Sequence, residues 1–236
     1  NRIALIADWQ FFCGIIQPDE ELNFDDLKKG FLWSQREGFI EEDSSIISTM
    51  IARGKKIGLS PEESVLRPDY LPTSSSFRQV NLEDRTDTLN DNHCDKVFQP
   101  LNCSGRKIYP IVDNLEHLKK LFDIGASLIQ FRIKNKSQRD VFALVKKAVE
   151  LSQKYSMSKL IINDYWEFAI ECGAFGVHLG QEDMNYADLS RLRSSGLRLG
   201  ISTHSFWEVS RALKFSPSYI ACGPIFQTRV KKMPWL

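Results

Sequence analysis

"LIINDYWEFAIECGAFGVHLGQED", residues 160–183, holds two short apolar runs, and each stops abruptly at an acid. LIIN breaks at Asp164 and GVHLGQ runs out at Asp183, with a helix-like stretch between them. Two buried strands flanking a helix, each ending in a carboxylate, form a repeating unit of a parallel α/β sheet.

The pattern extends in both directions. KIYPIV and SLIQFRI precede the segment, and RLGIS and YIACG come after it. Amphipathic stretches separate them: LEHLKKLFDIG, QRDVFALVKKAVELSQKY, YADLSRLRSSG and SFWEVSRALKFS. Two of these end in glycine, a common helix stop. Six such βα units in a row, with no GxGxxG after the first strand, predict a (β/α)8 TIM barrel over a doubly wound nucleotide fold. Eight units close such a barrel, so it is expected here only through its sixth strand, C-terminally truncated, with two units beyond Leu236.

The barrel is assigned to residues 107–236. Residues 67–106 are polar and rich in Ser, Asn, Asp and Pro, and read as a linker or loosely ordered wrap. In residues 1–66, NRIALIADWQFF has the composition of a strand, while DDLKKGFLWSQREGF and EEDSSIISTMIARGKK read as two helices. This partial α/β segment holds too little apolar residue for a core of its own and reads as the C-terminal remnant of an upstream domain.

Composition narrows the function. Lys and Arg number 31 against 30 Asp and Glu, so no global field draws the chain to nucleic acid or to a membrane surface. Any anion must be held by a local cluster. The five cysteines (Cys13, Cys94, Cys103, Cys172, Cys222) are scattered, with no CxxC pair. That favours reduced thiols in the cytoplasm over a disulfide framework or a zinc site. No apolar run approaches the ~18 residues of a membrane span.

In a βα barrel, function collects at the C-terminal ends of the strands. The second strand, SLIQFRIKN, alternates: Leu128, Gln130, Arg132 and Lys134 share one face, and Ile129, Phe131 and Ile133 the other. If the apolar face packs under the helices, Gln130, Arg132 and Lys134 point inward and up, where they need an anion or an internal ion pair. Strands three and four are neighbours about 5 Å apart, so Asp164 and Asp183 are expected to meet at the barrel mouth. Two carboxylates beside an Arg/Lys pair suit a Mg²⁺ ion bridging a phosphate or diphosphate; helix N-capping is the alternative for each. ISTHS offers Ser202, Thr203 and His204 to the same mouth, with capping again the alternative for the hydroxyls. GPIFQTRVKK brings Gly223, Thr228 and Lys231, either as an anion grip or as a solvated basic loop. His178, inside GVHLG, reads as a hydrogen-bonded core histidine rather than a catalytic base. No Ser–His–Asp or Cys–His nucleophile is evident.

QFRIKNKS, INDYWEFAIECGAFGVHLGQEDM, LRLGISTHS and PSYIACGPIFQTRVKKMP together resemble thiamine phosphate synthase in its long gamma-proteobacterial style. The resemblance implies a transferase that joins hydroxymethylpyrimidine diphosphate to a thiazole phosphate, releasing diphosphate. It further implies that Gln130, Arg132, Lys134 and Asn163 bind the pyrimidine diphosphate, that Asp164 and Asp183 hold Mg²⁺, and that Ser202 contacts the diphosphate. Thr228 matches the thiazole-phosphate loop and Lys231 the diphosphate grip, whereas Gln227 and Val230 stand where the family usually has Pro and Thr. GFIEEDSSIISTMIARG weakly resembles the closing helices of a pyrimidine phosphate kinase. A thiazole tautomerase of the same fold, or a non-catalytic remnant, are the competing readings. Without the last two barrel units, residues 1–236 alone are expected to be aggregation-prone and inactive.

Overall fold

The computed structural model describes residues 22–72, 97–101 and 108–224. The expected strand in residues 1–12, most of the 67–106 segment, and Thr228 and Lys231 lie outside them. By contacts the chain divides into two compact units. Among described residues one comprises 22–72, 204–215 and 222–224, and the other 97–101, 108–203 and 216–221.

In the first unit both expected helices form, as α1 (Phe24–Arg36) and α2 (Glu41–Lys55), then a short α3 (Pro61–Val65) and a 3-10 turn at Pro68–Tyr70. Local chemistry sets their ends. The Asn23 side chain accepts from the Asp25 and Asp26 amides at the start of α1, and Ser60 and Glu63 close a capping box on α3. Acids fill the first turn of α2 and Arg53 and Lys55 its last turn, complementing the helix dipole. α2 is buried along most of its length although it is rich in Ser and Thr. The Ser45, Ser48 and Thr49 hydroxyls donate back to carbonyls one turn earlier, so burying them leaves no orphaned donor. Small side chains also allow close approach: a Cβ on Gly30 of α1 would stand 3.0 Å from the Ser48 Cα.

Ile46 and Met50 of α2 form the apolar centre of this unit, with Tyr70, Leu71, Phe206 and Trp207 packed against them. Phe206 and Trp207 open helix α8 (Phe206–Leu213). Asp43, 7% exposed, accepts from the Trp207 amide at 2.9 Å, and the Ser210 hydroxyl donates to the Pro72 carbonyl at 2.7 Å. Thus residues 204–215, which come after the fifth strand in sequence, cluster with the helices of residues 22–72.

The second unit is an α/β structure of the barrel type. Its strands are β1 (Ile111–Val112), β2 (Leu128–Phe131), β3 (Lys159–Asn163), β4 (Gly176–Leu179), β5 (Arg198–Thr203) and β6 (Tyr219–Cys222), and they lie side by side in chain order. β1 through β5 pair in parallel. The helices between them are α4 (Leu115–Asp123), α5 (Gln138–Ser152), α6 (Trp166–Glu171) and α7 (Leu189–Ser194). β2 and β4 are buried throughout and β3 nearly so, as expected of parallel strands covered on both faces. The caps fall on Asn114, Ser137 and Asp188, and left-handed glycines Gly173 and Gly196 stop α6 and α7. At Gly176 two strands press close together, because a Cβ there would stand 2.6 Å from the Arg198 carbonyl oxygen.

Asp43 generates a test of the first unit. Asp43→Ala removes the acceptor for the Trp207 amide and is expected to cost about 0.5–1.5 kcal/mol, the net contribution of one hydrogen bond. A urea titration reads this as a lower midpoint; an unchanged midpoint would show that the contact contributes nothing.

Candidate active site

Register determines which strand residues share a face. Asn163 pairs with His178, and His178 with Gly200. Gln130 pairs with Ile161, two residues before Asn163, so Gln130, Asn163 and His178 project from the same side of the sheet. Ser202, two residues after Gly200, continues that face. Thr203 therefore points the other way: it is 1% exposed, and its hydroxyl donates to the Ala221 carbonyl at 3.1 Å. The expectation that Thr203 serves the mouth is thereby corrected by strand alternation. His204 is engaged instead by Glu208, whose carboxylate lies 2.7 Å from both its backbone N and its Nδ1.

Asp164 comes directly after the last residue of β3. Its amide donates to the His178 carbonyl at 2.9 Å, continuing the ladder, and its φ of 66° is left-handed. Non-glycine residues adopt that conformation uncommonly, although Asp and Asn do so more readily than most. α6 has Tyr165 at its N-cap and no side-chain cap. Asp183 opens a 3-10 turn, Asp183–Asn185, and one of its oxygens accepts from the Gly180 amide at 2.9 Å. Neither aspartate caps its helix through its side chain.

The two carboxyls act on one another. Burial first, and the Asp183 carboxylate second, hold Asp164 above the ordinary aspartate range, while Lys134 and Arg132 pull it back. The same four groups foreseen at the strand ends are therefore near enough to be coupled. β2 itself ends at Phe131; Arg132 keeps one ladder bond, to the Val112 carbonyl at 2.8 Å, and is half-buried, whereas Lys134 is exposed. Asn163 is 5% exposed, and its Nδ2 has no hydrogen-bond partner. A buried amide donor without an acceptor is uncommon and suits a group that meets a ligand.

Beneath the carboxylates runs a polar chain that sequence reasoning found only in part. Gln130 Nε2 donates to the Tyr109 hydroxyl at 3.1 Å, which lies 2.6 Å from the Tyr219 hydroxyl. Tyr219 in turn lies 2.9 Å from His178 Nδ1, and His178 Nε2 lies 2.7 Å from the Ser202 hydroxyl. His178 is thus the hydrogen-bonded core histidine expected, with burial lowering its pKa to about 4 against the opposite pull of Asp183. Burial likewise pushes both tyrosines up, so they keep their protons. Tyr109 and Tyr219 were missed. The signal available was that a buried histidine needs two partners, and each of these tyrosines belongs to a strand-like apolar run.

Among the described residues, no group of three or more His, Cys, Asp or Glu is arranged to hold a metal, and no helix is long and apolar enough to cross a membrane. A hard cation such as Mg²⁺ asks for less: one or two carboxylates, with water and substrate phosphates completing its shell. The oxygen-only pair fits that requirement, with Asp164 partly desolvated beside the Asp183 carboxylate.

The profile of the TMP-TENI family, described as thiamine monophosphate synthase, matches residues 106–235, and the chain belongs to that family. It is 50% identical over 127 residues to the thiamine-phosphate synthase of Proteus mirabilis (strain HI4320), a match covering 54% of this chain and 59% of that protein. Against the thiamine-phosphate synthase of Escherichia coli O1:K1 / APEC it is 47% identical over 127 residues, covering 54% of this chain and 60% of the other. The chain thus spans about three-fifths of the length of these relatives. A solved thiamine phosphate pyrophosphorylase from Pyrococcus furiosus superposes with a TM-score of 0.45 at 28% identity, over 51% of this chain and 61% of that one.

The raised pKa of Asp164 has a definite sign. Its ionised form is less favourable in the folded chain than in the unfolded one. The cost is absent below the unfolded value of ~3.9, grows as pH rises toward the folded value and is complete above it. Asp164→Asn, which also tolerates a left-handed φ, is expected to raise the thermal midpoint of the metal-free protein at neutral pH and to lose that advantage in acid. Calorimetry at both pH values checks this; a midpoint at or below wild type at neutral pH would contradict it.

Proposed function

We propose that the chain supplies the pyrimidine-diphosphate half of a thiamine-phosphate synthase, a transferase of thiamine biosynthesis. Its substrates would be hydroxymethylpyrimidine diphosphate and a thiazole phosphate, and its products thiamine phosphate and diphosphate. The observation that carries this reading is the coupling of Asp164 and Asp183 with Arg132 and Lys134 at the ends of adjacent strands. Family membership and the names of the relatives support it. A thiazole tautomerase of the same fold would have no need of a diphosphate grip beside paired aspartates.

In the reaction the bond between the pyrimidine's methylene carbon and the diphosphate oxygen breaks, and the electron pair leaves with the oxygen. The electron-rich pyrimidine stabilises the resulting carbocation, and the thiazole nitrogen then forms the new C–N bond. No protein nucleophile is required. What the site must provide is positive charge where negative charge accumulates on the leaving group. Arg132 is suited to a bidentate hold on diphosphate oxygens, and Lys134 to a point charge beside them. Asn163, with its unpaired buried Nδ2, and Gln130 are suited to orienting the pyrimidine. Asp164 and Asp183 would hold Mg²⁺, which supplies charge neutralisation on the diphosphate. Ser202 is assigned to the diphosphate, Thr228 to the thiazole phosphate and Lys231 to the diphosphate, the last two from family resemblance alone. The free thiol of Cys172 agrees with a cytoplasmic setting.

Two experiments on the full-length protein test this. Asp164→Ala is expected to abolish thiamine phosphate formation and to remove the rise in thermal midpoint that magnesium chloride produces in wild type; retained turnover without added magnesium would exclude the metal assignment. Arg132→Ala is expected to weaken pyrimidine diphosphate binding about tenfold or more, the loss of one charge-assisted hydrogen bond, with thiazole phosphate binding unchanged. Isothermal titration with each ligand separates these outcomes, and equal losses on both would put Arg132 on the wrong side of the site.

A further inference from the structure

The polar chain beneath the carboxylates has a direction. Its first link is between Gln130 Nε2 and the Tyr109 hydroxyl, and an amide nitrogen can only donate. Tyr109 has one proton of its own to give, and its hydroxyl neighbour, 2.6 Å away, is Tyr219. Tyr219 passes its proton on toward His178 Nδ1 at 2.9 Å. A neutral imidazole that accepts at Nδ1 carries its proton on Nε2 and donates it to Ser202 Oγ at 2.7 Å. Reversing the chain would leave the Tyr109 proton without an acceptor among the described residues, whereas the forward direction satisfies every member up to Ser202. Ser202 is half-buried, and its own proton is the one left to give.

A second observation shows the arrangement to be built into the strands. A Cβ at Gly200 would run into the ring and hydroxyl of Tyr219, so glycine at this position is what lets that hydroxyl reach His178. Tyr109 and Tyr219 rings meet edge to face with centroids 5.8 Å apart, which holds the two hydroxyls together.

We propose that Tyr109, Tyr219 and His178 are positioning residues that act as a one-way hydrogen-bond relay: they occupy the acceptor side of Ser202 and reserve its hydroxyl proton for an anionic oxygen of the ligand. That the oxygen belongs to diphosphate rests on the synthase reading; the direction of the relay does not. No bond is made or broken, and no member of the relay changes its protonation.

Long-range proton–nitrogen NMR on full-length protein with ¹⁵N-labelled histidine reads the direction without substrate. His178 is expected as the Nε2–H tautomer, with Nδ1 unprotonated. Tyr219→Phe removes the donor to Nδ1 and is expected to shift His178 toward the Nδ1–H tautomer. It should also weaken binding of inorganic diphosphate, with magnesium chloride present, about tenfold, comparably to Ser202→Ala. Tyr109→Phe breaks the chain one link earlier, should move both readouts in the same direction, and serves if Tyr219→Phe does not fold. An Nδ1–H tautomer in wild type, or an unchanged tautomer in the folded tyrosine variants, would overturn the relay. Absence of diphosphate binding by wild type would sink the synthase reading instead, and the tautomer would then decide the relay alone.

Discussion

Parallel pairing in chain order makes the C-terminal ends of neighbouring strands converge, and the site depends on that convergence. β3 and β4 are hydrogen-bonded neighbours, so the loops that leave Asn163 and Leu179 must emerge side by side. β2, on the other flank of β3, delivers Arg132 and Lys134 to the same end of the sheet. These two cations and the two acids, Asp164 and Asp183, lie on three different βα units. They become electrostatic partners only through this geometry.

Convergence has a cost, borne at Asp164. Its backbone is left-handed, its carboxyl is partly desolvated, and a second carboxylate stands beside it. A residue placed only for stability would relieve all three conditions. Local strain and like-charge crowding of this kind tend to persist where the surroundings hold a site ready for a ligand. Asn163, next to it and buried with an unpaired donor, adds to the same tension. A ligand bringing positive charge to the aspartates and an acceptor to the amide would relieve both.

The interior beneath the rim is handled differently. There the polar groups satisfy one another, from Gln130 through two tyrosines and His178 to Ser202. Buried polar networks stabilise a unique arrangement only when each member is partnered. This one is complete except at Ser202, the end nearest the strand termini. The helical unit solves its own polar burial in another way, returning the Ser and Thr hydroxyls of α2 to the helix backbone.

Read alone, the amino-acid sequence dictates the order of strands and helices, their stops, and the acids at two strand ends. Those are local properties: a run of apolar residues, a glycine able to adopt a left-handed φ, an acid where the run ends. Gln130 was legible for the same reason, since alternation along β2 fixes its face, whereas β2 ends at Phe131 and leaves Arg132 and Lys134 beyond the strand that the sequence pattern assigned them to. Tertiary packing supplied everything that depends on residues far apart in the chain. It turned Thr203 away from Ser202 and joined Tyr109 to Tyr219 across 110 positions. It also grouped residues 204–215 with the N-terminal helices. No local period encodes such contacts, because they arise only when neighbouring strands and packed helices bring distant side chains within hydrogen-bond reach.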